Sequence, residues 1–231
     1  MLRTGCIFLA FAASLTAQTC RTANFEPGPL SQGELKAEFK NAVLRLQVEG
    51  DSGSGTGYLI DSSRGYIVTA FHVVHAALPD TPIKVRFPSS AFASQTFTAK
   101  LVRSLGHLQQ DGTVAGTDLA LLQLQPGDSL STVRPVDISL QYPGQDTLLY
   151  SLGFPQLGDL GNEDITTQLT QLIATPEDGS IEVRQAIFGG NSGGPLLDAS
   201  GSSVGTCRET VGTGLLSGAM SPWQTQRHFL T

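Results

Sequence analysis

Cysteine, methionine, tryptophan and basic residues are all scarce in this 231-residue chain, which has 3 Cys, 2 Met, 1 Trp, 4 His, and 14 Lys plus Arg against 20 Asp plus Glu. So few Cys and His provide no four-ligand cluster of the zinc-binding kind, and no metal or other cofactor is expected. The formal charge is −6, and loss of Arg3 with a leader makes it about −7. No dense basic stripe offsets that charge, which argues against nucleic acid and anionic membranes as partners. The apolar run from Cys6 to Leu15 is too short for a convincing membrane span. It follows Met1-Leu2-Arg3 and precedes small residues around Ala17, the order of a secretory signal. Residues 1–17 are therefore expected to be a signal peptide, and the protein to be exported, periplasmic or secreted, with no stable membrane insertion once the leader is gone. An uncut buried segment is the other reading, since Leu15 is large for its place before the cut. Ala17-Gln18-Thr19 before Cys20 does not resemble a lipobox.

What the chain has in quantity is glycine, with 26 Gly beside 12 Pro and 40% hydrophobic residues. Valine- and threonine-rich segments broken by Gly and Pro recur along its length, which favours an all-β architecture over a helical bundle. The mature chain of about 210 residues can bury one sizeable core or two small fused ones. The most informative stretch is Gly189-Gly190-Asn191-Ser192-Gly193-Gly194-Pro195, a glycine-crowded turn whose N–H groups can converge on a developing oxyanion. Tyr66 to Val74 reads as an apolar β-branched strand running into His72. Thr117 to Leu124 reads as a turn aspartate, Asp118, followed by an alternating, largely apolar strand. The chemistry these residues suit is acyl transfer. A serine hydroxyl is a poor nucleophile at neutral pH, an imidazole must take its proton, and a buried carboxylate must hold that ring in the right tautomer.

With Thr69-Ala70-Phe71-His72-Val73-Val74, Asp118-Leu119-Ala120-Leu121-Leu122 and Gly190-Asn191-Ser192-Gly193-Gly194-Pro195 in the order His, Asp, Ser, the chain resembles the trypsin-like serine proteases. It is most similar to their bacterial high-temperature-requirement branch. The resemblance runs from about Phe39 to Trp223. It implies a fold of two six-stranded antiparallel β-barrels, the first over about 40–128 and the second over 129–231, after an N-terminal extension (18–39) with a short helix. A short closing helix is expected near the C-terminus. The resemblance also implies a serine endopeptidase with His72 as general base, Asp118 as orienting carboxylate and Ser192 as nucleophile. Gly190 and Ser192 would donate the oxyanion-hole N–H groups. The active site would lie between the two halves, and its partner would be a polypeptide substrate.

The same resemblance places the pocket for the residue before the scissile bond at Ala186, Ile187, Cys207, Arg208 and Glu209. The absence of a carboxylate at Ala186 argues against cleavage after Lys or Arg and for small aliphatic residues. Arg208 leaves open a preference for Glu. Arg208-Glu209 departs from the small or amide residues usual in the family, and either tunes the pocket or forms a solvated ion pair. Relatives typically carry a PDZ domain after the protease, whereas this sequence stops at Thr231, so capture of substrate by a second domain is not expected.

Rival residues read as ordinary. His75 follows the strand and suits the surface, His107 and His228 sit in polar or terminal contexts, and Asp80 and Asp111 lie in loop-like stretches. Gly50 to Gly57 has the spacing of a phosphate loop but no following Lys or helix, so a hairpin is the better reading. An oxidising compartment would permit a Cys20–Cys207 disulfide, but a Cys207 facing the pocket would not reach the N-terminal tail. The alternative function on this scaffold is a catalytically silent binding protein with a blocked cleft.

Overall fold

The computed structural model describes residues 28–50, 53–77, 81–111, 114–125, 130–144, 147–157, 160–161, 164–174, 181–184, 188–210 and 218–222. The expected leader, Cys20, Asp80, Ala186, Ile187, Trp223 and the closing C-terminal helix lie outside those residues. The first element is helix α1 (Gln32–Phe39). Ser31 Oγ accepts the Glu34 N–H and Glu34 Oε2 accepts the Ser31 N–H, a reciprocal box that satisfies two of the orphan donors at the helix start. Leu35 and Phe39, four residues apart and so on one face, are both buried in the core.

The first lobe follows: β1 (Val43–Val48), β2 (Gly55–Asp61), β3 (Tyr66–Thr69), helix α2 (Phe71–Val74), β4 (Ile83–Arg86), β5 (Thr96–Leu108) and β6 (Val114–Leu124). These six strands form a closed antiparallel barrel in the order β1-β2-β3-β6-β5-β4. Alternation sets which side chains fill it. In β4, Ile83 and Val85 are buried while Lys84 and Arg86 point outward, and in β1 Leu44, Leu46 and Val48 are buried while Arg45 and Gln47 face out. Phe87, Phe92 and Phe97 add an edge-to-face cluster with centroids 5.5–6.4 Å apart.

The second lobe contains β7 (Leu148–Gly153), β8 (Gln156–Leu157), β9 (Leu160–Gly161), β10 (Thr166–Ala174), β11 (Ile181–Val183), β12 (Pro195–Leu197), β13 (Ser203–Thr210) and β14 (Gly218–Pro222). Here the expectation of two matching six-stranded barrels needs correction. Five strands, β7, β10, β11, β14 and β13, make a nearly closed sheet. Three-residue β12 completes the ring, meeting β7 at only two positions, Leu196↔Ser151 and Leu197↔Tyr150. Its pairing with β13 also shifts register between Leu196 and Leu197. The second lobe is thus not a second regular six-stranded barrel. The physical reason lies in the sequence: β12 starts at Pro195, which has no N–H to give a ladder, immediately after the turn at Gly193-Gly194. Strands β8 and β9 pair with each other in a separate two-stranded sheet.

The lobes and the segment between them are joined along a seam of hydrogen bonds. Tyr58 Oη lies 2.8 Å from Thr206 Oγ1, Val136 N–H donates to Leu59 O at 2.8 Å, and Ser203 N–H donates to Asp137 O at 2.7 Å. Ser62 Oγ also donates to Val133 O. Among the described residues no helix is long and apolar enough to cross a membrane.

Candidate active site

Strand β3 delivers Thr69 and Ala70 to the single turn of α2, and His72 is that turn's second residue. Asp118 lies inside β6 rather than in a turn ahead of it, because the strand already begins at Val114. From there its carboxylate reaches His72 twice. Oδ1 accepts the His72 backbone N–H at 2.8 Å, and Oδ2 sits 2.7 Å from Nδ1. Binding both the ring and the main chain of one residue fixes the imidazole's position and places its proton on Nδ1, leaving Nε2 as the acceptor. Asp118 is 5% exposed while the His72 side chain is 36% exposed, so the base faces the cleft and the carboxylate stays behind it. Burial pushes the Asp118 carboxyl upward. The hydrogen bonds and charge of His72, together with the Arg208 charge, outweigh that and hold it below its usual value.

Ser192 comes from the second lobe. Phe188 O accepts the Asn191 N–H at 3.0 Å, closing a turn over Gly189 and Gly190, and Gly190 takes the left-handed φ of 92° that a side chain would strain. Thr56 N–H donates to Ser192 O at 2.8 Å, and Gly193 N–H donates to Cys207 O at 2.8 Å, so the nucleophile turn is clamped between β2 and β13. Among the described residues the N–H groups of Gly190 and Ser192, on either side of Asn191, carry no internal hydrogen bond. Ser192 Oγ donates to Arg208 O at 3.0 Å, not to His72. Catalytic hydrogen bonds of this kind are often formed only when substrate is present.

The serine and histidine segments meet at two glycines. A Cβ on Gly55 would lie 2.5 Å from Val73 Cγ1 and 3.1 Å from Ser192 O. One on Gly193 would lie 2.1 Å from Thr56 O, 2.2 Å from Thr69 Oγ1 and 3.0 Å from Ala70 N. Gly193 is thus required by the protein's own atoms around it. Residues that sequence reasoning missed hold this junction together. Thr56, fully buried, donates from Oγ1 to Gly190 O at 2.6 Å and accepts the Phe154 N–H at 3.1 Å. Only the glycines flanking Thr56 hinted that a close approach occurs there.

The remaining candidates are dispersed. Cys207 is 1% exposed and packs among Leu149, Ile181, Leu196 and Val204, and burial pushes its thiol up to about 12. It is a free thiol. Arg208 contributes its carbonyl to Ser192 and its charge to Asp118. Glu209 continues β13, paired with Ala219. His75 Nδ1 sits 2.6 Å from the His72 carbonyl on the exposed side of α2. His107 and Asp111 are exposed at the far end of the β5–β6 hairpin.

Two β lobes that bring a buried Asp–His pair from one side to a serine in a glycine turn on the other define a trypsin-like serine protease domain. The chain belongs to that family: the model of the trypsin-like peptidase domain matches residues 55–205. It is 32% identical over 154 residues to the periplasmic serine endoprotease DegP of Escherichia coli K12, covering 65% of this chain and 29% of that protein. It is 33% identical over 174 residues to the chloroplastic Protease Do-like 8 of Arabidopsis thaliana, covering 68% of this chain and 35% of the relative. A crystal structure of a serine endoprotease from Yersinia pestis superposes with TM-score 0.65 over 88% of this chain and 66% of its own, at 21% identity. The chain thus spans about a third of the length of these two curated relatives.

Proposed function

We propose that the protein is an exported serine endopeptidase that hydrolyses polypeptides through an acyl-enzyme, with His72, Asp118 and Ser192 as its triad. The observation that carries this reading is the doubly hydrogen-bonded Asp118–His72 pair facing the turn that holds Ser192. In the first step the Ser192 hydroxyl leaves Arg208 O and gives its proton to His72 Nε2 as Oγ bonds the scissile carbonyl carbon. The carbonyl oxygen, now negative, takes the open N–H groups of Gly190 and Ser192. Each such donor contributes roughly 3 kcal/mol to transition-state stabilisation. The C–N bond then breaks as His72 returns the proton to the leaving amine, and the acyl group remains on Ser192. Water repeats the sequence with His72 again as base, releasing the acid and free serine.

Asp118 stays ionised throughout, because the ring hydrogen bond and charge of His72 that depress its pKa are the same contact that stabilises the imidazolium. For the acyl side we propose small aliphatic residues, with Ala186, Ile187 and Arg208 as determinants of that preference. The periplasmic or secreted location rests on the leader-like residues 1–17 and on the periplasmic relative. A quenched-peptide library tests the activity. Cleavage by wild type, after Val or Ala above all, and none by Ser192→Ala is the expected result, whereas equal cleavage by both would remove Ser192 from the reaction.

A further inference from the structure

Arg208 belongs to β13 of the second lobe, yet it bears on both halves of the triad. In the ladder between β13 and β14, Cys207 stands opposite Met220 and Glu209 opposite Ala219, so Arg208 is the extra residue of a β-bulge. Bulges lift a residue out of the regular ladder and re-aim its groups. The carbonyl of Arg208 accepts the Ser192 Oγ–H at 3.0 Å. The main chain just before it is laced to the nucleophile turn, since Gly193 N–H donates to Cys207 O at 2.8 Å and Cys207 N–H donates to Gly194 O at 2.9 Å.

The side chain serves the other lobe. Cys207 packs into the second-lobe core, whereas Thr206 Oγ1 meets Tyr58 Oη of the first lobe at 2.8 Å. Alternation carried on from these two returns Arg208 to the first-lobe side of β13. Its Nε is buried, and its charge acts on Asp118: burial raises that carboxyl, and His72 and then Arg208 act against the rise. Around the imidazole, α2 also contributes His75, whose Nδ1 sits 2.6 Å from the His72 carbonyl. Strands β2 and β5 approach α2 through glycines, Gly55 against Val73 and Gly106 against Phe71. The inward side chains of β1 are the apolar Leu44, Leu46 and Val48. A cation on the β13 side stabilises the Asp118 carboxylate and opposes a second positive charge on the ring that Asp118 holds. It therefore favours the neutral, proton-accepting imidazole that attack by Ser192 requires.

We propose that Arg208 is a positioning residue of the triad, its main chain holding the Ser192 hydroxyl at rest and its guanidinium keeping Asp118 ionised and the His72 ring neutral. The proposal rests on the endopeptidase reading for its consequence, and it is tested on the ring as well as on the reaction so that the two can fail separately. The protonation of His72 is followed by NMR of its Cε1–H, assigned with His72→Ala, in wild type, Arg208→Gln, Arg208→Met and Arg208→Lys. Arg208→Met keeps the apolar stem should Arg208→Gln fold poorly. Both uncharged variants are expected to move the midpoint to higher pH by on the order of one unit, the low end of what a nearby charge produces. Arg208→Lys, which keeps the charge, is expected to stay near wild type. The rate at which a fluorophosphonate labels Ser192 is expected to show the same displacement of its acid limb. Lost packing alone would lower that rate at every pH and leave the limb in place. An unmoved midpoint in the uncharged variants, or an equal displacement in Arg208→Lys, would overturn the proposal. The expected midpoints together with no labelling of wild type at any pH would uphold the effect of Arg208 on the ring and overturn the endopeptidase reading instead.

Discussion

Replacing Thr56 with Val tests how the nucleophile turn is held. The two side chains are nearly isosteric, so the fully buried site keeps its packing, but the hydroxyl and both of its hydrogen bonds disappear. Gly190 O and the Phe154 N–H are then left in a dry interface, Gly190 buried and Phe154 1% exposed. An orphaned buried polar group costs about 1–3 kcal/mol. Two of them in contact with the same side chain set the expected loss at roughly 3 kcal/mol, or about 6–12 °C in Tm for a domain of this size. Thr56→Ser, which keeps the hydroxyl and loses one methyl group, is expected to lose only about 1 kcal/mol. Urea titrations of wild type and both variants provide the comparison, with the labelling rate of Ser192 as a second readout. That rate is expected to fall in Thr56→Val because the Gly190 peptide is no longer anchored. Equal stability of the Val and Ser variants would refute the reasoning, since it would mean that neither Gly190 O nor the Phe154 N–H depends on Thr56.

Gly193→Ala places a methyl 2.1 Å from Thr56 O at a φ of 87°; a loss of more than about 4 kcal/mol is expected, read as failure to give a cooperative unfolding transition at room temperature. Asp118 has a folded pKa below its unfolded one, so its contribution to stability is complete above about pH 4 and is lost as pH falls through the lower folded value. The stability gap between wild type and Asp118→Asn, followed by urea titration, is therefore expected to be constant above the ordinary Asp range and to narrow progressively as the pH is lowered below about 4. Peptide mapping after treatment with a thiol reagent at about pH 8 is expected to find Cys207 unmodified in the native protein and fully modified after unfolding, because its thiol is buried and neutral there.

The order His72, Asp118, Ser192 was legible because each segment depends on local pattern, whereas the first barrel was implied by the family resemblance. A β-branched strand running toward His72 and an apolar run around Asp118 are read from neighbouring residues, although that strand ends at Thr69 and His72 sits in α2. What escaped depends on contacts distant in sequence. Thr56 touches Gly190 across 134 positions and Phe154 across 98, and nothing local distinguishes it from other strand threonines. The need for glycine at 193 and 194 also arises across the sequence, since the atoms a side chain would strike belong to Thr56, Thr69 and Leu152. The second barrel was overestimated because strand-like composition does not reveal pairing. Pro195 and the glycines before it shorten β12 to three residues, so that lobe is stitched together at two positions instead of fully laced.

The measurement that bears most directly on the endopeptidase reading is intact-mass analysis of the purified protein after exposure to a fluorophosphonate, for wild type, Ser192→Ala and His72→Ala. One adduct on wild type, located at Ser192, and none on either variant is the expected result. An unlabelled wild type, or an adduct that persists in Ser192→Ala, would contradict a Ser192 nucleophile activated by the Asp118–His72 pair.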